Sequence, residues 1–304
     1  MIKQNKKGRF DGALNSLRTL RFRDVLKWKL LHPYSPIKSH KRLVVKDEHE
    51  KLIAAQDYLC WLGHASFLLQ LGGKRILIDP VFGDIPFYKR DIPAPYAPAM
   101  LPNIDFLLLS HTHYDHFDAP SLRQISKYTK QALLPLQMGC LLKRTVKSNL
   151  HCTELNWFER YEEEDFAVTL VPAKHWSRRG VFDTNRVLWG GFVIEYGGKT
   201  VYFSGDTAFD THFEAIGSCF DIDIAILPIG AYRPREVMKH NHLDPQEAYD
   251  AFKMLGAKQM VPMHYGTFKL SDEPLDEPLA WLRNITNSAS EEIRVLEVGE
   301  VYTI

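Results

Sequence analysis

The sequence predicts a mixed α/β fold in which two similar β-sheets face each other. Short apolar runs of strand length alternate with helical segments along most of the chain. Two of these runs are hairpins that share a GGK turn, FLLQLGGKRILIDP at 67–80 and FVIEYGGKTVYFSGD at 192–206. Each hairpin ends on an aspartate and follows a Trp-Gly element. The repeat favours a duplicated half-domain, and two similar sheets packed face to face form a sandwich with its functional loops at one edge.

The elements follow from apolar runs and turn signals. Strands are predicted at 57–62, 66–71, 75–79, 104–110, 131–135, 165–172, 188–195, 199–204, 222–228, 258–263 and 293–297. Helices are predicted at 119–129, 137–147, 208–217, 245–255 and 275–286. Asp244-Pro245 is a typical helix start, with an N-cap aspartate followed by proline in the first turn. Residues 84–103 contain five prolines and are expected to form a long loop that contacts substrate.

The first 55 residues differ in composition from the rest. Residues 1–46 contain 13 Lys or Arg and two acids, whereas the remainder has 25 basic and 35 acidic residues. Leucines and Trp28 recur between these charges at near-helical spacing. We therefore expect 1–55 to be a basic amphipathic arm and 56–304 to be the folded α/β domain. The arm either packs on its own domain or lies on an anionic membrane surface.

The bulk composition places the chain in the cytoplasm, with peripheral attachment to the inner face of a membrane left open. Of 304 residues, 45% are apolar and 25% charged, which is ordinary globular composition. No apolar run approaches membrane-spanning length, and the start lacks a signal-peptide core. The cysteines are scattered, as expected of reduced thiols: Cys60, Cys140, Cys152 and Cys219. No nucleic-acid-binding module is complete, and both a monomer and a homodimer are compatible with the sequence.

Four potential metal ligands crowd the stretch SHTHYDHFD, directly after the apolar run at 104–109. They are His111, His113, Asp115 and His116. One compact loop of this kind can serve two metals about 3.5–4 Å apart, the spacing found in two-metal hydrolases. Four donors do not fill two coordination spheres, so distant ligands are required.

Three further donors each end an apolar strand: His175, Asp206 and His264. A single histidine in such a place is more often structural, but the combination with the loop favours a metal site. A carboxylate such as Asp206 can bridge two ions. Zinc is the first choice for a histidine-rich site without sulfur, and two Zn²⁺ are expected, with iron or manganese not excluded. Asp79 is expected to accept a hydrogen bond from a ligating imidazole.

The motifs resemble those of the metallo-β-lactamase superfamily, whose signature is the His-x-His-x-Asp-His loop. The resemblance covers residues 57–300 and implies an αββα sandwich of two mixed β-sheets flanked by helices. It implies that His111, His113 and His175 hold one metal. Asp115, His116 and His264 would hold the other, with Asp206 as the bridge. Because true β-lactamases of this fold commonly carry Cys at the position of Asp206, antibiotic hydrolysis is disfavoured.

The flanking motifs narrow the resemblance to the N-acylphosphatidylethanolamine-hydrolysing phospholipase D group. These motifs are WLGHASFLLQ, LIDPVF, KHWSRRG, LWGGFVIE, SGDTAF, LPIGAYRPREVMKHNHLDPQEA and MHYGTF. The group cleaves a phospholipid to an N-acylethanolamine and phosphatidic acid, which implies a phospholipid substrate or membrane surface as partner. Catalysis is assigned to Asp115, Asp206 and His242, with a hydroxide bridging the metals as nucleophile. His64, Arg233 and Lys239 are candidate substrate contacts.

Two alternatives remain open at this point. The same dimetal site in the cytosol can open a lactone or cleave another small ester or phosphate. Alternatively, the chain binds metal without turnover and acts as a scaffold. A lipid enzyme is expected to show an apolar, basic-rimmed surface where residues 10–31 and 84–103 approach the metals.

Overall fold

The computed structural model describes residues 2–11, 41–286 and 291–304. Its strands are β1 Tyr58–Gly63, β2 Ser66–Leu71, β3 Lys74–Ile78, β4 Ile104–Leu108, β5 Thr129–Pro135, β6 His151–Leu155, β7 Arg160–Glu163, β8 Phe166–Val171, β9 Gly191–Tyr196, β10 Lys199–Phe203, β11 Ile224–Pro228, β12 Gln259–Met263 and β13 Val301–Thr303. Its α-helices are α1 Ala119–Ile125, α2 Gly139–Val146, α3 His212–Cys219, α4 Arg235–Met238, α5 Pro245–Leu255 and α6 Glu277–Ile285. The strands form a seven-stranded sheet, β13-β1-β2-β3-β4-β5-β6, and a six-stranded sheet, β12-β11-β10-β9-β8-β7.

The two GGK hairpins occupy equivalent places in the two sheets. Strands β2 and β3 pair antiparallel, and β3 then pairs parallel with β4. The second sheet repeats this order, with β9 and β10 antiparallel and β10 and β11 parallel. Both turns use glycine at positive φ, +56° and +73° at Gly72-Gly73 and +56° and +83° at Gly197-Gly198. The topology thus repeats as the sequence echo predicts.

Aromatic side chains from both sheets meet in the interior of the sandwich. The rings of Phe67 on β2 and Phe203 on β10 lie 6.3 Å apart, and those of Phe106 on β4 and Phe166 on β8 lie 4.8 Å apart. Helices α1 and α2 cover the outer face of the first sheet through buried residues such as Leu122. The opposite outer face packs on α3, α5 and α6. The predicted αββα sandwich is therefore confirmed.

The element predictions fail at three sheet-edge positions. The run 293–297 is not a strand, because only Ile293 forms an isolated bridge, to Met260. The C-terminal strand is instead β13, which pairs with β1 at one edge of the first sheet. Strands β6 and β7 were not predicted because HCTEL and RYEE are polar and only partly buried. At sheet edges, pairing depends on a neighbouring strand more than on side-chain burial.

Residues on both sides of the amphipathic segment contact the sandwich. The Phe10 side chain is 1% exposed, and its backbone N–H donates to the Asn185 carbonyl at 2.8 Å. Val45 forms a parallel bridge with Val298, and Leu52 is fully buried. The predicted amphipathic stretch from Leu14 to Leu31 lies outside the described residues. Within the described ranges, none of the helices has both the length and the apolar character needed to cross a bilayer.

Candidate metal centre

The predicted ligands meet at one edge of the sandwich because each follows the end of a strand. Asp79 follows β3, and the His111–His116 stretch follows β4. In the second sheet His175, Asp206 and His264 follow β8, β10 and β12, respectively. His264 has a φ of +62° and Asp79 a φ of +42°, so the backbone turns sharply where the donors are presented.

The loop after β4 is fixed by its own hydrogen bonds. The His113 carbonyl accepts from the backbone N–H groups of His116 at 3.2 Å and Phe117 at 2.8 Å. Directly after Phe117, the Asp118 carboxylate caps α1 by accepting from the backbone N–H of Ser121 at 3.0 Å. This tight turn lets neighbouring side chains point at two different centres.

The first cluster joins three imidazoles to one carboxylate. The Nδ1 atom of His113 lies 2.9 Å from Nε2 of His111 and 3.2 Å from Nε2 of His175. The same two Nε2 atoms lie 3.9 Å and 3.8 Å from Oδ2 of Asp206. All four donor atoms are within 4.8 Å of one another, as ligands of a single ion must be.

The second cluster is built around the other oxygen of the same aspartate. The Nε2 atoms of His116 and His264 each lie 3.2 Å from Oδ1 of Asp206. They lie 3.7 Å and 3.5 Å from Oδ2 of Asp115. His64 closes this cluster, with its Nε2 at 3.0 Å from Asp115 Oδ2.

Buried atoms without hydrogen-bond partners show that the second cluster fits a cation. The Nε2 atoms of His116 and His264 and the Oδ1 atom of Asp206 are all buried and unpartnered. Burying such groups unsatisfied is costly, and a cation between them satisfies all three. With Oδ2 facing one cluster and Oδ1 the other, Asp206 lies between the two clusters.

The two clusters differ in the protonation of their imidazoles. Burial lowers the pKa of His111 and His175 well below the ordinary value and that of His113 to about 4. Burial also opposes charge on His264, but the carboxylates of Asp206 and Asp115 outweigh it and raise its pKa to about 9. The first cluster therefore holds neutral imidazoles, the form that binds metals. The second cluster carries bound protons, and a metal must displace these protons when it binds.

A second layer orients the imidazoles. Asp79 Oδ2 lies 2.8 Å from Nδ1 of His116 and 2.5 Å from Oγ of Ser110. That hydroxyl in turn lies 2.9 Å from Nδ1 of His111. The predicted role of Asp79 as an acceptor behind a ligating histidine matches this geometry. Behind His175, Nδ1 lies 3.0 Å from the Asn241 carbonyl oxygen.

Of the other predicted site residues, some reach the clusters and others do not. His242 reaches the clusters, with Nδ1 buried, unpartnered and 3.8 Å from Asp206 Oδ2. Arg233 is held by Glu277 at 2.7 Å, which leaves it less available to a substrate. Lys239 is exposed, three residues before His242. The Asp244 cap of α5 fixes the end of this loop through a capping box with Glu247.

Two hydroxyl residues near the clusters were missed by sequence reasoning. Ser110 links Asp79 to His111, and its only signal is its place directly before the metal loop. Thr207 follows Asp206, and its Oγ1 accepts from the backbone N–H of Lys174 at 3.0 Å. The Ala208 N–H donates back to the Lys174 carbonyl at 3.0 Å. These bonds join the turn carrying Asp206 to the turn carrying His175.

Removing the Thr207 hydroxyl should weaken metal binding in the first cluster. We expect Thr207→Val, which keeps the side-chain shape, to lower cation affinity by about 10–100-fold, as loss of groups behind metal ligands does. Competition with a chromophoric chelator measures this directly. Thr207→Ser keeps the hydroxyl and should retain near-normal affinity; equal affinities in the two variants would contradict a role for the bond.

Comparison with known proteins agrees with this geometry. Two histidine clusters sharing a carboxylate at the edge of an αββα sandwich define a metal-dependent hydrolase of the metallo-β-lactamase type. Residues 74–265 match a family described as Beta-lactamase superfamily domain. The chain belongs to this superfamily.

Individual relatives indicate which members of the superfamily this chain resembles, but they do not identify its substrate. The chain is 33% identical over 270 residues to N-acyl-phosphatidylethanolamine-hydrolyzing phospholipase D 1 of Caenorhabditis elegans, covering 81% of this chain and 75% of the relative. It is 31% identical to a UPF0173 metal-dependent hydrolase of Caldivirga maquilingensis, covering 81% of this chain and 98% of that one. The structure of Igni18, a metallo hydrolase from Ignicoccus hospitalis, superposes with a TM-score of 0.62 at 23% identity, over 82% of this chain and 99% of Igni18, which shows the shared fold.

Proposed function

We propose that this protein is a dinuclear zinc phosphodiesterase of the phospholipase D type. Its substrates are N-acylphosphatidylethanolamine-like lipids, and its products are an N-acylethanolamine and phosphatidic acid. The proposal of two metals rests on the position of Asp206. Its Oδ2 atom faces the first histidine cluster, and its Oδ1 atom faces the second.

The chain's own residues divide the work. His111, His113 and His175 would hold one cation, Asp115, His116 and His264 the other, and Asp206 would contact both. A bound pair of cations supplies Lewis acidity toward the phosphoryl group and lowers the pKa of water toward neutrality. In the metal-free protein burial opposes ionisation of Asp115 and Asp206, but the charged His116 together with the other histidines beside them holds the pKa of both carboxyls well below the ordinary range. Bound cations would favour the ionised carboxylates in the same way. Both can therefore accept a proton or a hydrogen bond from an attacking water.

His242 is suited to the phosphoryl oxygens. Burial lowers its pKa to about 4, so the ring is neutral near pH 7 and offers one N–H. Its Nδ1 atom is buried beside Asp206 without a hydrogen-bond partner. We assign His242 to orient a non-bridging or leaving oxygen of the phosphodiester, where a preorganised donor stabilises the charge that develops.

Similarity supports the lipid substrate. The nematode relative is named for hydrolysis of N-acylphosphatidylethanolamine, and the aligned region covers 81% of this chain. The site also contains His242, on the KHNHLDP loop, as a candidate substrate contact. A metal-binding signature alone does not require such a residue. We therefore place the enzyme on a membrane surface rather than free in the cytosol.

A second candidate is a cytosolic hydrolase acting on a lactone or another small ester or phosphate. The observation that favours it is the UPF0173 relative, which this chain covers over 98% of its length and whose name specifies no lipid. The metal centre alone does not distinguish the two substrates.

Product analysis separates the candidates. Zinc-loaded protein is incubated with vesicles containing N-acylphosphatidylethanolamine, and in parallel with a lactone and with bis-p-nitrophenyl phosphate. Mass spectrometry should find N-acylethanolamine and phosphatidic acid in equal amounts. The His113→Ala protein, purified identically, controls for contaminating lipases. Turnover of the lactone with no lipid product would overturn the phospholipase assignment and favour the second candidate.

A further inference from the structure

Two strongly exposed apolar tips lie on loops that pack near the metal centre. Phe87 is 97% exposed, and Val181 and Phe182 are 72% and 81% exposed. Scattered exposed apolar residues are ordinary on protein surfaces. The two tips differ from such scattered residues in their position. Each tip belongs to a loop that packs near one of the two histidine clusters.

The Phe87 tip belongs to the second cluster. Its neighbour Tyr88 packs on Phe268, whose ring lies 5.1 Å from that of His64. His64 in turn contacts Asp115 at 3.0 Å. The Phe87 backbone has a φ of +73°, unusual for a bulky residue, so the loop holds this ring outward at a conformational cost.

The Val181–Phe182 tip belongs to the first cluster. Trp176, at the start of the same loop, packs its ring 4.4 Å from that of His113. Farther along, the Arg179 carbonyl accepts from the Tyr114 hydroxyl at 3.1 Å. The Arg179 guanidinium also stacks over the Tyr114 ring and donates to the Phe117 carbonyl at 2.6 Å. These contacts fix the loop against the metal-binding turn.

The charges near the tips favour an anionic surface. Lys89 lies two residues from Phe87 and Arg178 three residues from Val181, and neither forms an ion pair with a carboxylate in the part of the chain that the structure describes. The loop 174–186 has four basic residues and a single acid, Asp183, whose oxygens accept from the Gly180 backbone at 2.8 Å and 2.7 Å. Apolar side chains beside unpaired cations are typical of surfaces that enter the interface of an anionic bilayer.

We propose that Phe87 and the Val181–Phe182 pair form a two-point bilayer contact that seats the metal centre against an anionic membrane, one tip beside each histidine cluster. The inference rests on the proposed function only in that the substrate is a bilayer lipid. It assigns docking to two loops of the hydrolase domain, in addition to any contribution of the N-terminal arm.

Binding to vesicles without turnover tests this contact. Flotation is measured with mixed phosphatidylethanolamine–phosphatidylglycerol vesicles that contain no N-acylated lipid. We expect Phe87→Ser and the double variant Val181→Ser/Phe182→Ser each to lower the partition coefficient at least about tenfold, since each removes one buried apolar anchor. The matched control is Ile53→Ser, which removes a 72%-exposed side chain beside Ala54, whose carbonyl contacts Gln70 at the far end of β2. It should bind like the wild type.

Each other outcome overturns the contact. Wild-type protein that does not float with these vesicles, or tip variants that float equally well, would remove it. Variants that keep vesicle binding but change the mass measured by light scattering would assign the tips to contacts between copies of the chain instead. Because no substrate is present, these results are independent of the product analysis, and a failed lipid assay with intact tip-dependent binding would count against the proposed function alone.

Discussion

Replacing Asp206 with alanine should lower turnover of phosphodiester substrates by at least about 10³-fold, because both metal positions lose a shared ligand. The carboxylate is 3% exposed and has one oxygen toward each cluster. The fold should persist, since Asp206 contacts site histidines rather than core side chains. Once the carboxylate is gone, His116 and His264 can release their protons and avoid an unpaired buried charge.

Asp210→Asn provides the matched control. Asp210 lies four residues later and pairs with Lys174 at 2.9 Å on the partly exposed side of the same turn. We expect near wild-type turnover from this variant, and the thermal midpoint of both metal-free variants should stay close to that of the wild type. Wild-type activity in Asp206→Ala would refute the shared-ligand arrangement; unfolding of that variant would show that the carboxylate is structural.

Removing the cations with a chelator should abolish turnover, and reloading should become tighter as the pH rises. In the metal-free protein the pKa of His264 is raised to about 9 by Asp206 and Asp115, against the opposing effect of burial. Its bound proton stabilises the metal-free fold fully below the unfolded pKa of about 6.5, and this stabilisation is lost as the pH rises toward 9. A metal must displace that proton, so affinity rises up to about tenfold per pH unit across this window.

Isothermal titration in two buffers of different ionisation enthalpy measures the protons released on binding. We expect net release near pH 7, and the part of it that comes from His264 should fade above pH 9. In His264→Gln the pH slope should become shallower, whereas His212→Gln, which removes a buried histidine that pairs with Thr207 at 3.1 Å, leaves His264 and its carboxylates in place and should keep the slope. Binding without proton release near pH 7 would contradict protonation of the second cluster.

The site was predictable from the sequence because its donors are tied to strand ends. Four of the donors lie within six residues, and the other three each close an apolar run that was recognisable as a strand. Strands of two packed sheets that end at the same edge bring such residues together without further information. The GGK echo added the duplication, and with it the sandwich.

The duplication places Asp79 and Asp206 after corresponding strands, but the two acids differ in role. Each follows the second strand of a GGK hairpin. Asp79 is fully buried behind the metal loop and contacts Ser110 and His116. Asp206 stands between the clusters. The repeat predicts where both acids lie, whereas the role of each depends on which loop packs beside it.

Other features depend on tertiary neighbours and left little trace in the sequence. The edge strands β6 and β7 are too polar to show a buried pattern, and β13 is only three residues long. The linking hydroxyls of Ser110 and Thr207 act through backbone groups, which carry no side-chain signature. The exposure of Phe87 and Phe182 is likewise invisible in a chain with 17 phenylalanines, most of which could belong to a core.

The number and separation of bound metals test the central claim most directly. Anomalous diffraction from crystals of the zinc-loaded protein should show two peaks about 3.5–4 Å apart, with the Asp206 carboxylate between them. His111, His113 and His175 should surround one peak, and Asp115, His116 and His264 the other. A single peak in fully active protein, or two peaks that do not share Asp206, would contradict the account.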